Sequence, residues 1–258
     1  MNKKGFSLIE LSMVLIIISL LIYGVLGAQS LIENAKIRGL ANEFSQLRQQ
    51  IHSFYALKGR MPGDLNNDGL FGQSGCGSSI VVETYTSNDF PAPYDGSDDE
   101  YGIPTAITAP FVELYLEKIS SFQPKKVSYA LNKWRDTARD GGLPISKIIR
   151  NYVYMPIYRN DACTSIITQK NDELHYLHNF RDGIYFDFQY WINGEYMRGK
   201  IAEKVDKKLD DGKYNAGIIR GHCQATGQTN NGKVTYQASE ESGSAGGCRW
   251  LSIFMGIN

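Results

Sequence analysis

From Phe6 to Ala28 the chain runs for about 23 residues with one formal charge, Glu10, long enough at 1.5 Å of helical rise per residue to cross the hydrocarbon core of a bilayer. No other feature constrains the fold so strongly. In lipid such a span must be helical, because a helix satisfies its backbone N–H and C=O groups internally. Lys3 and Lys4 precede it, so the positive-inside rule keeps the N-terminus cytoplasmic and sends everything beyond Ala28 outward. Glu10 is the anomaly. An acid in such a helix costs about 2.5 to 3.5 kcal/mol at the centre and less near an end, and its default reading is a functional group with a cationic partner. No Lys, Arg or His lies within two turns on its C-terminal side. An α-amino group on Phe6 would supply the cation, and it exists only if the chain is cut between Gly5 and Phe6.

Two simpler explanations compete. A signal anchor that tolerates one Glu explains the apolar run but not the Gly5–Phe6 junction at its cytoplasmic edge. A cleavable secretory peptide has a similar basic start and apolar centre but needs small residues before a cut on the far side. Leu26-Gly27-Ala28 puts Leu where such sites carry a small side chain, and no Leu-rich box ending in Cys marks a lipoprotein.

The stretch Lys3-Lys4-Gly5-Phe6-Ser7-Leu8-Ile9-Glu10-Leu11, followed by the aliphatic run, resembles the leader of the type IV pilin family, which includes type IV prepilins and the pseudopilins of type II secretion. The resemblance implies that residues 1–5 are a cytoplasmic leader removed by prepilin peptidase after Gly5. It also implies that the new N-terminal Phe6 is N-methylated and that Glu10 serves subunit assembly, pairing with the Phe6 amine of a neighbour. The implied setting is the bacterial inner membrane, with a single pass, a periplasmic head and a final place in a periplasmic or extracellular filament. The implied partners are the peptidase, the inner membrane and other pilin or pseudopilin subunits. Phe54-Tyr55 followed by Pro62-Gly63-Asp64 also looks like pseudopilin sequences as a class, whereas the helix-breaking Pro of many pilins is missing before Pro62.

Past Ala28 the pattern becomes amphipathic. Ile37, Leu40, Phe44, Leu47, Ile51 and Phe54 recur every three or four residues, which is one helix face. Glu33, Lys36, Arg38, Glu43, Gln46, Arg48 and Gln49 fill the rest, so one helix is expected to continue to Lys58. Residues 6–28 form its transmembrane and assembly half, and 29–58 the half that packs on the head. A coiled-coil seam fits the spacing too, over only about three heptads. Gly24, Gly27 and Gly39 are weak points. Gly59 suits a C-cap and Pro62 cannot continue the helix.

Residues 59–258 are expected to form one extracytoplasmic globular head, being enough chain for a core. The expected fold class is α+β: the long helix packed on an antiparallel β-sheet, with additional short helices and loops. Residues 59–110, rich in Gly, Asn, Asp, Ser and Pro, read as loops with short strands. Helices are expected over 110–121, 129–138 and 197–209, and strands over 152–158, 184–191, 217–223 and 249–255. Ile184, Phe186, Phe188 and Tyr190 share one strand face.

Cys76, Cys163, Cys223 and Cys248 all lie beyond the span, in what that topology makes an oxidising compartment, so two disulfides are expected, with three connectivities open. Cys223 with Cys248 would close a Gly/Ser/Asn-rich C-terminal loop, as pilins often do, and leaves Cys76 with Cys163.

The rest of the chain carries little chemistry. Lys plus Arg equal Asp plus Glu at 27 each, so net charge recruits no polyanion. Asp64-Leu65-Asn66-Asn67-Asp68-Gly69 begins like a calcium loop, but Gly75 stands at the twelfth position, where an EF-hand needs a bidentate Glu. A Ca2+ site there would need Asp95, Asp98, Asp99 or Glu100, and a plain Asx-turn at the helix exit is the simpler reading. Some major pseudopilins bind calcium in a C-terminal loop, which does not support this site. No cofactor is required. His175 and His178, with Asp182 or His222, have zinc-ligand chemistry, although such a pair is more often ordinary. Gly227 to Gly232-Lys233 nearly completes a phosphate loop, but Val234 replaces the needed Ser or Thr. Lys125, Lys126, Lys133, Arg135 and Arg139, interleaved with Tyr129 and Trp134, are diluted by Asp136 and Asp140 and read as a solvated helix face rather than a nucleic-acid site. No serine-nucleophile elbow, HExxH motif or Ser/His/Asp set occurs, so an enzyme is not expected. The expected function is a filament subunit of a type IV pilus or type II secretion pseudopilus. A minor or tip pilin whose head binds a surface, carbohydrate or DNA is the alternative, and a membrane-tethered enzyme comes third.

Overall fold

One helix organises the molecule. In the computed structural model α1 runs unbroken over Leu8–Lys58, 51 residues and about 76 Å. The structure describes residues 8–67, 73–74, 85–94, 96–98, 100–101, 104–105, 107–125, 141–149, 152–159, 183–190, 197–213, 216–224 and 247–255. From Leu8 to Ile32 the large apolar side chains of α1 that the structure describes stand exposed, among them Leu11, Ile16, Leu20 and Leu31. From Ile37 the helix is covered on one face. Ile37, Leu40, Phe44, Leu47, Ile51 and Phe54 are all buried, joined by Ala41, so the stripe read from the sequence is the face on which the head sits. Gly59 ends α1 with a positive φ of 71°, its N–H donating to the Tyr55 carbonyl at 2.7 Å. That is a left-handed C-cap, which glycine adopts without a Cβ clash.

The head is built on a five-stranded sheet of order β1-β2-β3-β5-β4. Its strands are β1 (Gln73–Ser74), β2 (Tyr152–Arg159), β3 (Gly183–Tyr190), β4 (Ile219–Gln224) and β5 (Gly247–Phe254). The four longer strands pair antiparallel, and only the two-residue β1 lies parallel to its neighbour. Strand alternation sends one set of side chains to α1. The Phe44 ring meets Tyr154 and Phe188 edge-on, with centroids 6.0 and 5.1 Å apart. The opposite set, which includes Val153, Met155, Tyr185, Asp187, Ser252 and Phe254, is buried as well.

Two short helices complete the described head. α2 (Ala109–Leu116) packs Phe111 against Phe186 at 5.6 Å. It stops five residues short of the expected 121 because Lys118 turns left-handed (φ 59°) and the amides of Ile119 and Ser120 both close on the Leu114 carbonyl at 3.0 Å. α3 (Gly199–Leu209) buries Ala202 and Val205 and halts before Gly212, whose φ is 74°. A small second core gathers Phe90, Tyr94, Ala109 and Val112, giving the loop-rich region after α1 its own packing. The helix expected over 129–138 lies outside the described residues.

Candidate functional site

The uncovered half of α1 presents an apolar surface with one charge. Glu10 sits in the first described turn, exposed among Leu8, Ile9, Leu11 and Met13. The serines on this half hydrogen-bond back to their own helix: Ser12 to the Ile9 carbonyl (2.8 Å), Ser19 to Leu15 (2.7 Å) and Ser30 to Gly27 (3.0 Å). Their hydroxyls therefore need no partner outside the helix. By length and composition α1 is able to cross a membrane. Lys3, Lys4, Gly5 and Phe6 lie outside the described residues.

Polar contacts spaced along its second half bind α1 to the head. At the near end Glu33 accepts from Lys204 Nζ of α3 at 2.6 Å, and that hydrogen bond, aided by the positive charges of Lys204, Lys200 and Arg198, holds the Glu33 carboxyl below its ordinary pKa. Farther along, Glu43 accepts from Ser146 Oγ (2.6 Å), the Lys147 amide (2.8 Å) and the Tyr154 hydroxyl (2.8 Å). Burial, with the neighbouring Glu43 carboxylate, pushes the Tyr154 phenol well above its usual pKa. Between them lies Gly39. A Cβ there would stand 2.6 Å from Ile148 Cδ1, so this glycine, a weak point by propensity, is what lets Ile148 reach the helix. At the far end Lys58 pairs with Glu117 at 2.6 Å. Arg60 makes a two-pronged ion pair with the buried Glu113, which also accepts the Gly63 amide at 2.5 Å. The Arg60 guanidinium lies over the Phe54 ring, 5.5 Å from its centroid.

The calcium-loop residues are divided. Asp64 is buried and Asn66 exposed, while Asp68 lies outside the described residues. Of the supplementary acids, Asp98 accepts the amides of Glu100 (2.6 Å) and Tyr101 (3.2 Å) in its own turn, and Glu100 pairs with Lys125 at 2.6 Å. Both are engaged locally, and Asp95 and Asp99 are not described. Asp206, Asp210 and Asp211 of α3 and its exit bring their carboxylates within 4.8 Å of one another. Asp210 is committed to the Ile218 and Ile219 amides.

Cys248 is disulfide-bonded and wholly buried, and the ladder sets Cys223 opposite it beside a β-bulge. Cys76 and Cys163 lie outside the described residues, as do His175, His178, Asp182, the Gly227–Val234 segment, and Lys126, Lys133, Arg135 and Arg139. His222 falls in β4 opposite Trp250.

Sequence reasoning missed Glu43, Glu113 and the row Asp187, Ser252 and Arg220, which the register places side by side across β3, β5 and β4, with the Ser252 hydroxyl donating to Asp187. Glu113, Asp187, Ser252 and Arg220 are polar residues at buried positions, and that interruption of an apolar pattern is the only signal the sequence offers for them, whereas Glu43 is half-buried on the polar flank of the α1 stripe and carries no such signal. The head surface also carries an open hollow of about 410 Å3 lined by Tyr115, Leu116, Lys118, Ser120 and Ser121. Compared with protein-family models, curated proteins and solved structures, the chain matches none.

Proposed function

We propose that this chain is a prepilin-like or pseudopilin-like structural subunit. Prepilin peptidase cuts it between Gly5 and Phe6, Phe6 is N-methylated, and the N-terminal helix assembles with identical or related helices into a type IV pilus or a type II secretion pseudopilus. The supporting observation is the division of α1, whose first half offers an uncovered apolar surface with Glu10 as its one charge while the second half is fastened to an α+β head. An apolar helix of this kind is stable in lipid or among other helices, and both environments belong to such a subunit. In the low dielectric of a helical filament core an ion pair is strong, so the Phe6 amine of one subunit and Glu10 of its staggered neighbour fix the axial register while neutralising each other. Producing the chain with prepilin peptidase and sequencing its N-terminal peptide tests the processing. N-methyl-Phe6 at the terminus is expected, and a chain left uncut by active peptidase refutes it. Glu10→Leu should abolish filament assembly in the producing cell, and intact filaments would refute the pairing.

The hollow on the head, with Tyr115, Lys118 and two serines, favours one second reading, a minor or tip subunit whose head binds a ligand. Glycan and DNA binding to the full chain in detergent, weakened by Tyr115→Ala, would support it.

A further inference from the structure

The uncovered apolar surface of α1 ends beside a group of basic side chains. Leu31 and Ile32 are exposed, and the contact with the head begins at Glu33. Among the described residues, the charges bearing on the Glu33 carboxylate are all positive: Lys204, bonded to it at 2.6 Å, then Lys200 and Arg198, both exposed. Lys36, also exposed, follows Glu33 by one turn of α1. Glu203, the acid adjacent to Lys204 on α3, is engaged by Lys207 at 2.6 Å. A chain of zero net charge thus gathers Arg198, Lys200 and Lys204 around one carboxylate at the near end of its head, with Lys36 exposed one turn farther along α1.

Helix geometry fixes the depth of this patch. A hydrocarbon core of about 30 Å takes roughly 20 residues of helix. Counted from Leu8, that length ends near Ala28, and the rise from there to Glu33 is about 7.5 Å, the thickness of one headgroup layer. Packing of α3 does not account for Arg198 and Lys200, since α3 turns Ala202 and Val205 inward and leaves those two cations outside.

We propose that this patch is a docking surface for an anionic phospholipid leaflet: Arg198 and Lys200, with Lys36 on α1, bind lipid phosphates and seat the head on the bilayer that α1 crosses. The proposal rests on the reading of α1 as a membrane span. Basic side chains at this height lie within a Debye length of the lipid charge, and the patch is continuous with the apolar surface that enters the bilayer.

The test uses the full chain in nanodiscs of phosphatidylcholine alone or mixed with phosphatidylglycerol, with lysine acylation rates read by peptide mass spectrometry. Lys36 and Lys200 should be acylated about fivefold more slowly in the anionic discs, with the difference lost at high salt. Lys118, beside α2 at the other end of the head, should react equally in both. Arg198→Gln should restore much of the Lys200 rate in anionic discs while leaving the thermal midpoint unchanged. Equal rates in the two lipids would overturn the proposal. So would protection that appears only on chain association and ignores lipid charge, because a neighbouring subunit would then be the occupant. A chain that enters neither kind of disc would overturn the membrane span itself, whereas insertion with equal rates defeats only the docking surface.

Discussion

Replacing Glu43 by alanine should detach the middle of α1 from the head. The carboxylate receives three donors, from Ser146, Lys147 and Tyr154, and each meets a different fate. The Lys147 amide is exposed and exchanges its partner for water at little cost. Ser146 Oγ still accepts from the amides of Ile148 and Ile149 and loses only its own donation, about 1 kcal/mol. Tyr154 is 6% exposed, and its hydroxyl, losing its charged acceptor and keeping only Ser146 beside it, carries a penalty of about 1 to 3 kcal/mol. The total is roughly 3 kcal/mol. With a urea slope of about 2 kcal/mol per molar, the midpoint should fall by about 1.5 M. The assay is urea unfolding of the full chain in mild detergent, followed by tryptophan fluorescence. Tyr154→Phe alone, which leaves no buried donor unpaired, should cost about 1 kcal/mol. The double variant should cost less than the two singles together by about 1 to 2 kcal/mol. A Glu43→Ala midpoint within about 0.3 M of wild type, or strict additivity in the cycle, would refute the assignment. A pH dependence accompanies it. Because burial raises the Tyr154 pKa above its unfolded value of about 10, the folded state favours the neutral phenol. Its contribution is complete below about pH 10 and is lost as pH rises toward the folded pKa. Tyr154→Phe should remove that alkaline component from the stability profile.

Three further outcomes are expected. Arg60→Ala leaves Glu113 buried without its guanidinium and should cost about 3 to 5 kcal/mol in urea unfolding, whereas Arg60→Leu with Glu113→Leu should cost clearly less; equal losses would show that the pair does not hold the α1 exit. Gly39→Leu drives a side chain into Ile148 and should lower stability by about 1 to 3 kcal/mol, partly recovered by Ile148→Ala, with no loss counting against the close approach. Peptide mapping without reductant should join Cys248 to Cys223, and Cys248→Ser should cost about 2 to 5 kcal/mol; a Cys163–Cys223 peptide would refute the pairing.

The extent of α1 and the change of character along it were legible in the chain, because hydrophobic periodicity is a local property. All six stripe residues from Ile37 to Phe54 are buried, and the four main strands and α3 fall within two residues of their expected limits. α2 ended early at Lys118, where a left-handed residue without glycine gave no warning. The polar fastenings were not legible. Ser146 and Tyr154 stand 103 and 111 residues from Glu43, and a linear pattern marks a face as apolar without saying which distant donor will meet a charge beside it.

The sequence by itself determined that one helix would have an uncovered apolar half, with its single acid at Glu10, and a half-buried continuation, since side-chain chemistry and helical period decide both. Only the tertiary structure decided that β5 lies between β3 and β4, that Gly39 admits Ile148, and that Arg198, Lys200 and Lys204 gather at Glu33, where the apolar surface ends. Those outcomes depend on contacts between remote segments, whose partners are chosen by the packing of the whole head.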